Sequence, residues 1–269
     1  MRDVLAFIQQ KKREFAALPV FDFMRDARVP PEQRLALAPC MAHYVMTFAD
    51  VNVYVLRQEP ATDRFQELVN IHTYEDASHW PWYVEDLARL GLDREHKLSD
   101  VLEFLWGEAT VRSRVLSYEM CRLILQGTSL HRLAICECVE ETGNVFLGVA
   151  AEIGRELRRA TDVEYVYYGP HHFGCESGHT MGTPGVEQLL EEIRLTAGEQ
   201  AECRALVERV FALYTAFVGE LHEFALRHPI AELRSAPLRP GRADRHIGRD
   251  GTRHDAPSKA PQNARQNAQ

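Results

Sequence analysis

The sequence predicts an all-α protein with about eight helices in one domain. Apolar residues recur at three- and four-residue spacing along most of the chain, which is the period of an amphipathic helix. The two-residue alternation of a half-buried strand is nearly absent, apart from VEYVYY at 163–168. The chain has 269 residues, of which 45% are hydrophobic, so it is long enough to bury a sizeable core.

Capping residues, glycine and proline set the predicted ends of the helices. Gly91 is placed to stop a helix, and Asp100 with Glu103 resembles a capping box that opens the next one. A break is expected near Gly107, and Ser129 is expected to cap a long apolar helix. In order, the predicted helices cover 32–57, 63–90, 100–126, 129–159 and 198–228, with shorter segments around 164–180 and from Thr183-Pro184 onward.

Charge is divided unevenly between the main part of the chain and its end. Residues 234–269 contain eight Lys or Arg against three Asp, and no aromatic residue. Such a segment cannot offset its ordering entropy, so it is predicted to be a disordered basic tail. Residues 1–233 then have a net charge of −13 and are predicted to form the folded domain.

Composition also limits the classes of function. An acidic domain repels nucleic-acid phosphates and anionic membranes, so neither is an expected partner. The sequence shows no uncharged apolar stretch of membrane-spanning length and no apolar secretory signal near Met1, which predicts a cytoplasmic protein. Six scattered cysteines are then expected to be thiols rather than a disulfide framework.

Two copies of one histidine–acid pattern carry the strongest chemical signal. In each copy two histidines flank an acid at spacings of four and three: His72–Asp76–His79 and His172–Glu176–His179. Positions i, i+4 and i+7 share one face of a helix, so each segment is predicted to aim three donors at one point. Mixed imidazole and carboxylate donors suit Fe, Mn or Zn, and two sets in a helical bundle indicate a dinuclear centre. The alternatives are a solvated helix face for the first copy and a loop with a capping histidine for the second.

A third carboxylate donor is expected from the helix that begins near Ser129. Glu137, Glu140 and Glu141 interrupt the apolar stretch of this helix. Burying acids there is costly unless a cation receives them, so one of the three is expected to face the metals. A surface stretch is the alternative interpretation.

On these motifs the sequence resembles the haem-oxygenase-like di-iron oxidases, the group that contains the UndA-type and CADD-type enzymes. The resemblance covers roughly residues 30–230, and its specificity comes from the ligand motifs alone. It implies a haem-oxygenase-like bundle of seven to eight helices, two iron ions as cofactor and O2 as co-substrate.

The resemblance also implies a set of metal ligands. Glu140 precedes His172 by 32 residues, the spacing of the CADD-type members, whereas Glu137, at 35, fits the UndA-type spacing. The acid of the third ligand helix, Glu176, stands where Asp is commoner. The implied ligands are Asp76, His79, Glu140, His172, Glu176 and His179.

The glutamate of the family's first ligand helix has no unique counterpart here. Asp76 is preferred because it repeats the geometry of Glu176, but Glu75 also precedes His79 within one turn. His72 occupies the position seven before His79. His72, Glu75 and Glu137 are therefore candidates for further ligands or for partners that orient a ligand.

These features predict a non-haem di-iron, O2-dependent oxidase or oxygenase of a small organic substrate. By resemblance the substrate is an amino acid or a fatty-acid-like carboxylate. Trp80, Trp82 and Cys175 are candidates for the pocket wall, and a homodimer fits a helical domain of this size. The alternatives are a metal-free TenA- or PqqC-like small-molecule enzyme and a non-catalytic iron- or zinc-binding protein.

Overall fold

The computed structural model describes residues 1–176 and 184–236. Within these ranges the chain is helical with no strand, so the predicted all-α class is confirmed. Two short 3-10 turns, Ala38–Met41 and Glu108–Thr110, and one π-helical segment, Val51–Leu56, interrupt the α-helices. The α-helices are Arg2–Ala16 (α1), Pro19–Arg25 (α2), Pro31–Arg34 (α3), Ala42–Asp50 (α4), Arg64–Asp76 (α5), Trp80–Arg89 (α6), Leu98–Leu105 (α7), Val111–Gln126 (α8), Ser129–Thr161 (α9), Pro170–Glu176 (α10), Pro184–Glu192 (α11), Ala197–Arg227 (α12) and Ile230–Ser235 (α13).

Helix α9 is the centre of the bundle. It contacts α1, α5, α10 and α12, and most of its residues from Leu130 to Leu157 are buried. A helix that is buried on several faces must be apolar nearly all round, which is why its sequence reads as LAIC and VFLGVAA on either side of the acids. Two acidic residues of α9, Glu137 and Glu140, are buried inside the bundle.

Helices α5 and α9 begin side by side and run in the same direction. Asp63, the N-cap of α5, accepts hydrogen bonds from Phe65 N and Gln66 N, and it also accepts one of 2.6 Å from Ser129 Oγ at the start of α9. One turn further on, Arg132 Nη1 donates to Gln66 Oε1 at 2.9 Å. Because both helices rise about 1.5 Å per residue, residues 9 to 11 positions beyond these starts meet each other.

The predicted helix 63–90 is wrong in one respect, because it is broken between α5 and α6. Helix α5 ends at Asp76, and His79 is the N-cap of α6, which has Pro81 in its first turn. Proline has no N–H to donate to the carbonyl of Ala77, and its ring clashes with that carbonyl. The first histidine–acid copy therefore does not lie on one continuous helix.

Other helix boundaries differ from the prediction as well. The N-cap of α9 is Thr128 rather than Ser129, and α7 begins at Leu98, before the predicted cap Asp100. The predicted helix 32–57 is divided into α3, a 3-10 turn that contains Pro39, α4 and the π-helical segment. The break expected near Gly107 is confirmed, because this residue is the N-cap of the short turn before α8. The alternating segment at 163–168 forms no strand and instead leads into α10.

The segment before α10 is pressed closely onto α9 and α6. A Cβ on Gly154 of α9 would lie 2.6 Å from Tyr168 O, so only glycine allows this approach. From α6, the buried Asp86 accepts Val166 N at 3.0 Å and Tyr168 N at 2.9 Å. These contacts fix where α10 begins relative to both helices.

Helix α13 extends past residue 233, where the predicted domain boundary lies. Arg234 belongs to α13, and its Nε donates to Leu90 O at 2.7 Å. The rest of the predicted basic tail, 237–269, lies outside the described residues. In the part of the chain that is described, no helix has the length and apolar character needed to cross a membrane.

Candidate metal centre

His72, Asp76 and Glu140 form a buried cluster between α5 and α9. His72 Nδ1 lies 2.8 Å from Glu140 Oε1, and His72 Nε2 lies 3.5 Å from Asp76 Oδ2. The three side chains are at most 8% exposed, and one donor atom from each lies within 4.8 Å of the others. His72 and Asp76 are four residues apart on α5, and the parallel start of the helices places Glu140 opposite them.

The chemistry of this donor set fits a cation. Two buried carboxylates that share one imidazole are expensive to keep charged unless a positive charge lies among them. His72 Nε2 is also buried and makes no hydrogen bond with any described residue. Two oxygen donors and one nitrogen donor at this separation match the ligand preferences of Fe, Mn and Zn.

The polar neighbours of His72 favour its protonated form. Burial by itself lowers the pKa of His72, but the side chains of Cys136, Asp76 and Glu140 outweigh this effect and raise the pKa well above its ordinary value. A proton on the imidazole thus partly neutralises the carboxylates. A metal ion has to displace that proton, because an imidazole ligates only in its neutral form.

A second pair of donors, His79 and His172, lies beside this cluster. Both residues line a cavity that Asp76 also lines. His172 Nε2 and His79 Nδ1 are 3.1 Å apart. His172 Nδ1 donates to Tyr167 O at 3.0 Å, which makes Nε2 the acceptor of the neutral ring.

Trp82 and Tyr167 hold this histidine pair in position. The Trp82 ring stacks on His79 with centroids 4.6 Å apart, and its edge faces His172. The Tyr167 ring lies 4.7 Å from the His172 ring. Aromatic packing from two sides restricts rotation of both imidazoles, as a metal site requires of its ligands.

A cavity of about 90 Å³, partly open to solvent, adjoins both sets of donors. Asp76, His79 and His172 line it, so Asp76 belongs to the buried cluster and to the cavity wall. The rest of the wall is mostly apolar and aromatic, with a few hydroxyl groups. The cavity has room for several water molecules or one small organic molecule next to the donors.

The predicted site residues thus divide into three groups. The first group is the cluster of His72, Asp76 and Glu140. The second is the pair His79 and His172, which line the cavity together with Asp76. Glu137 is buried one turn before Glu140 on α9, and Glu75 is half-buried on α5. Helix α10 ends at Glu176, but the side chain of Glu176 and all of His179 lie outside the described residues.

The predicted wall residues have different positions. Trp80 is 39% exposed and lines the cavity, and Trp82 packs on the histidine pair as described above. Cys175 is half-buried, with its Sγ 4.0 Å from Nε2 of the exposed His171.

Sequence reasoning missed the hydroxyl groups of the cavity. Tyr44 and Tyr214 line it, and their hydroxyl oxygens are 2.6 Å apart. Burial raises the pKa of Tyr214, so this phenol stays protonated. Both residues occur in apolar helical segments, where the need of a buried hydroxyl for a partner was the available signal.

A scan against protein-family models and a search of the curated proteins found no match to this chain. Function is therefore inferred from the side chains of the site.

Proposed function

We propose that this protein is a non-haem di-iron oxidoreductase that uses O2 to oxidise a small organic substrate. The observation that carries this proposal is the buried His72–Asp76–Glu140 cluster next to the His79–His172 pair on one cavity wall. This arrangement supplies imidazole and carboxylate donors from three separate helices and from a helix N-cap.

Five described side chains would hold the ions. Asp76 belongs to the buried cluster and also lines the cavity together with His79 and His172, so its carboxylate would be a ligand that both groups of donors can share. Glu140 and His72 complete the buried side, and His79 and His172 complete the cavity side; Glu176 and His179 remain proposed ligands from the sequence. Bound ferrous iron supplies the electrons that reduce O2, a chemistry to which such mixed-ligand sites are suited.

The protein's own groups prepare this site in defined ways. The Tyr167 carbonyl keeps the proton of His172 on Nδ1, so the lone pair of Nε2 points toward His79 and the cavity. His72 Nδ1 donates a hydrogen bond to Glu140 Oε1, which orients the imidazole ring. Mostly apolar walls surround these groups, which strengthens polar interactions in the inner part of the cavity.

The cavity limits the substrate to a small molecule with a substantial apolar part. Its polar groups, including Tyr44, Thr142 and the metal donors, are few and lie among aromatic and aliphatic side chains. Both proposed substrate classes, an amino acid with an apolar side chain and a fatty-acid-like carboxylate, meet this requirement.

The test is an anaerobic Fe(II) titration with metal analysis, followed by O2 addition under optical detection. Wild type is expected to bind two irons per chain and to give a transient absorption change on O2 addition. The double variant Asp76→Asn/His172→Ala is expected to lose both effects, because it removes one donor from each group.

Its matched control is Glu75→Gln/His171→Ala, which makes the same kinds of change one residue earlier in each helix. This control is expected to bind two irons, since Glu75 is only half-buried and His171 is exposed. Equal iron binding by both double variants would refute the assignment of the ligands. Preference for a single zinc would refute the oxidase and favour a hydrolytic or structural site.

A metal-free small-molecule enzyme is the second candidate. It is favoured by the hydrogen bonds that the site residues make with one another, His72 with Glu140 and His79 with His172. These pairs could move protons on a bound ligand without an ion. Folded protein that binds neither iron nor zinc in the same titration would support this alternative.

A further inference from the structure

A second and smaller cavity lies behind one wall of the substrate cavity. It has a volume of about 10 Å³, which is the limit for one water molecule or methyl group. Four residues line both cavities and form the partition between them: Tyr44, Phe48, Val139 and Tyr214. The remaining wall of the small cavity is mostly aliphatic and includes Val51, Leu56 and Met120.

The two tyrosines hold the partition closed. Tyr44 is on α4 and Tyr214 is on α12, and their hydroxyl oxygens lie 2.6 Å apart. The rings pack edge to face, with centroids 5.8 Å apart. A ligand that entered the small cavity would have to separate these hydroxyls in surroundings that exclude water, where a lost hydrogen bond is costly.

The space behind the partition owes its shape to an irregular part of the helix. Val51 and Leu56 are the first and last residues of the π-helical segment that continues α4. A π-helical turn is wider than an α-helical turn, and such turns occur often at functional sites. Val51 and Leu56 line the small cavity together with Tyr44 and Phe48.

We propose that the Tyr44–Tyr214 pair limits the length of the apolar chain that the substrate cavity accepts. This inference rests on the proposed function for the meaning of the cavity, but it concerns binding alone. A chain that reaches the partition stops there, and a chain that is longer by about one methylene group fits only if the partition opens into the small cavity.

The probes are n-alkanols from butanol to dodecanol, titrated calorimetrically into the protein as purified. An alcohol is used because a carboxylate would be repelled by Asp76 and Glu140 when no ion balances their charge. In wild type the affinity is expected to rise about fourfold per methylene group until the chain meets the partition, and then to fall.

The decisive variant is Tyr44→Leu, and its matched control is Phe104→Leu. Both replace an aromatic residue by leucine, but the buried Phe104 lines neither cavity. In Tyr44→Leu the longest well-bound alkanol is expected to be at least two methylene groups longer than in wild type, because the variant removes the tyrosine ring and also opens the small cavity. Phe104→Leu is expected to leave the longest well-bound alkanol unchanged. The proposal would be overturned if the longest well-bound alkanol had the same length in wild type and Tyr44→Leu, or if this length changed equally in both variants. It would also be overturned if wild type bound no alkanol.

A milder variant keeps the test valid if Tyr44→Leu does not fold. Tyr214→Phe removes one hydroxyl and leaves the ring, so separating the rings becomes easier. Alkanols just beyond the wild-type limit are expected to bind at least threefold more tightly, and shorter ones equally well. Unchanged binding of the longer chains would count against the proposal. Neither result depends on iron, so a failed iron titration and a failed length limit are distinguishable.

Discussion

The imidazole of His72 lies 2.8 Å from the carboxylate of Glu140, although 68 positions separate the two residues in the chain. This contact arises because Asp63 and Ser129 tie the starts of α5 and α9 together at 2.6 Å. In two parallel helices whose starts are joined, residues at similar distances from the starts lie level with each other. The polar contact at the helix starts thus sets the position of the candidate metal donors about three turns away.

Glu140→Gln tests the choice between the two buried glutamates of α9. We expect the affinity for Fe(II) to fall by about 10- to 100-fold, because the cluster loses a charged donor and His72 loses its charged partner. Metal analysis after anaerobic equilibration measures this. Glu137→Gln, one turn earlier, is the control and should change the affinity by less than about threefold. A larger loss of Fe(II) affinity in Glu137→Gln than in Glu140→Gln would instead assign Glu137 as the ligand.

Metal affinity is expected to rise with pH. The raised pKa of His72 means that the imidazolium form persists above the ordinary range, and an entering metal must displace this proton. Below that pKa, each unit of pH should increase the apparent affinity by up to about tenfold for one released proton. Mn(II) titrations at pH 6, 7 and 8 avoid oxidation and measure the slope. A flat profile would show that His72 is not a ligand.

Asp86→Asn is expected to disturb the His79 side of the site selectively. The carboxylate accepts Val166 N and Tyr168 N and pairs with Arg89, which holds the segment before α10 against α6. Loss of the charged acceptor should lower the free energy of unfolding by about 3 kcal/mol. Iron analysis should show loss of one ion before the other, because the His72 cluster does not depend on this contact. Equal loss of both ions would mean a purely global effect.

Two helical glycines are expected to respond oppositely to alanine. A Cβ at Gly154 meets Tyr168 O at 2.6 Å, whereas a Cβ at Gly219 meets nothing within 4 Å. Gly219→Ala should therefore raise the free energy of unfolding by about 0.5–1 kcal/mol through helix propensity. Gly154→Ala should lower it by about 1–3 kcal/mol, since the segment before α10 must move. Urea unfolding of both variants measures the difference, and equal stabilisation would contradict the close approach.

The first copy of the histidine–acid pattern was informative even though its predicted placement on one continuous helix was wrong. The spacing of His72 and Asp76 put them on one face of α5, as a helical period requires. His79 was expected on the same helix, but Pro81 ends that regularity and places His79 at a helix N-cap. It still lies beside His172, because the whole of α6 is positioned by packing rather than by the period of α5.

The sequence by itself determined the helical class, the break near Gly107 and the burial of acids on α9, because these depend on local period and residue type. Only the tertiary structure decided that His72 meets Glu140 and that Tyr44 meets Tyr214. These partners lie on different helices, and the depth and rotation of one helix against another depend on packing and cross-helix hydrogen bonds. Such contacts join residues far apart in the chain, so no local pattern encodes them.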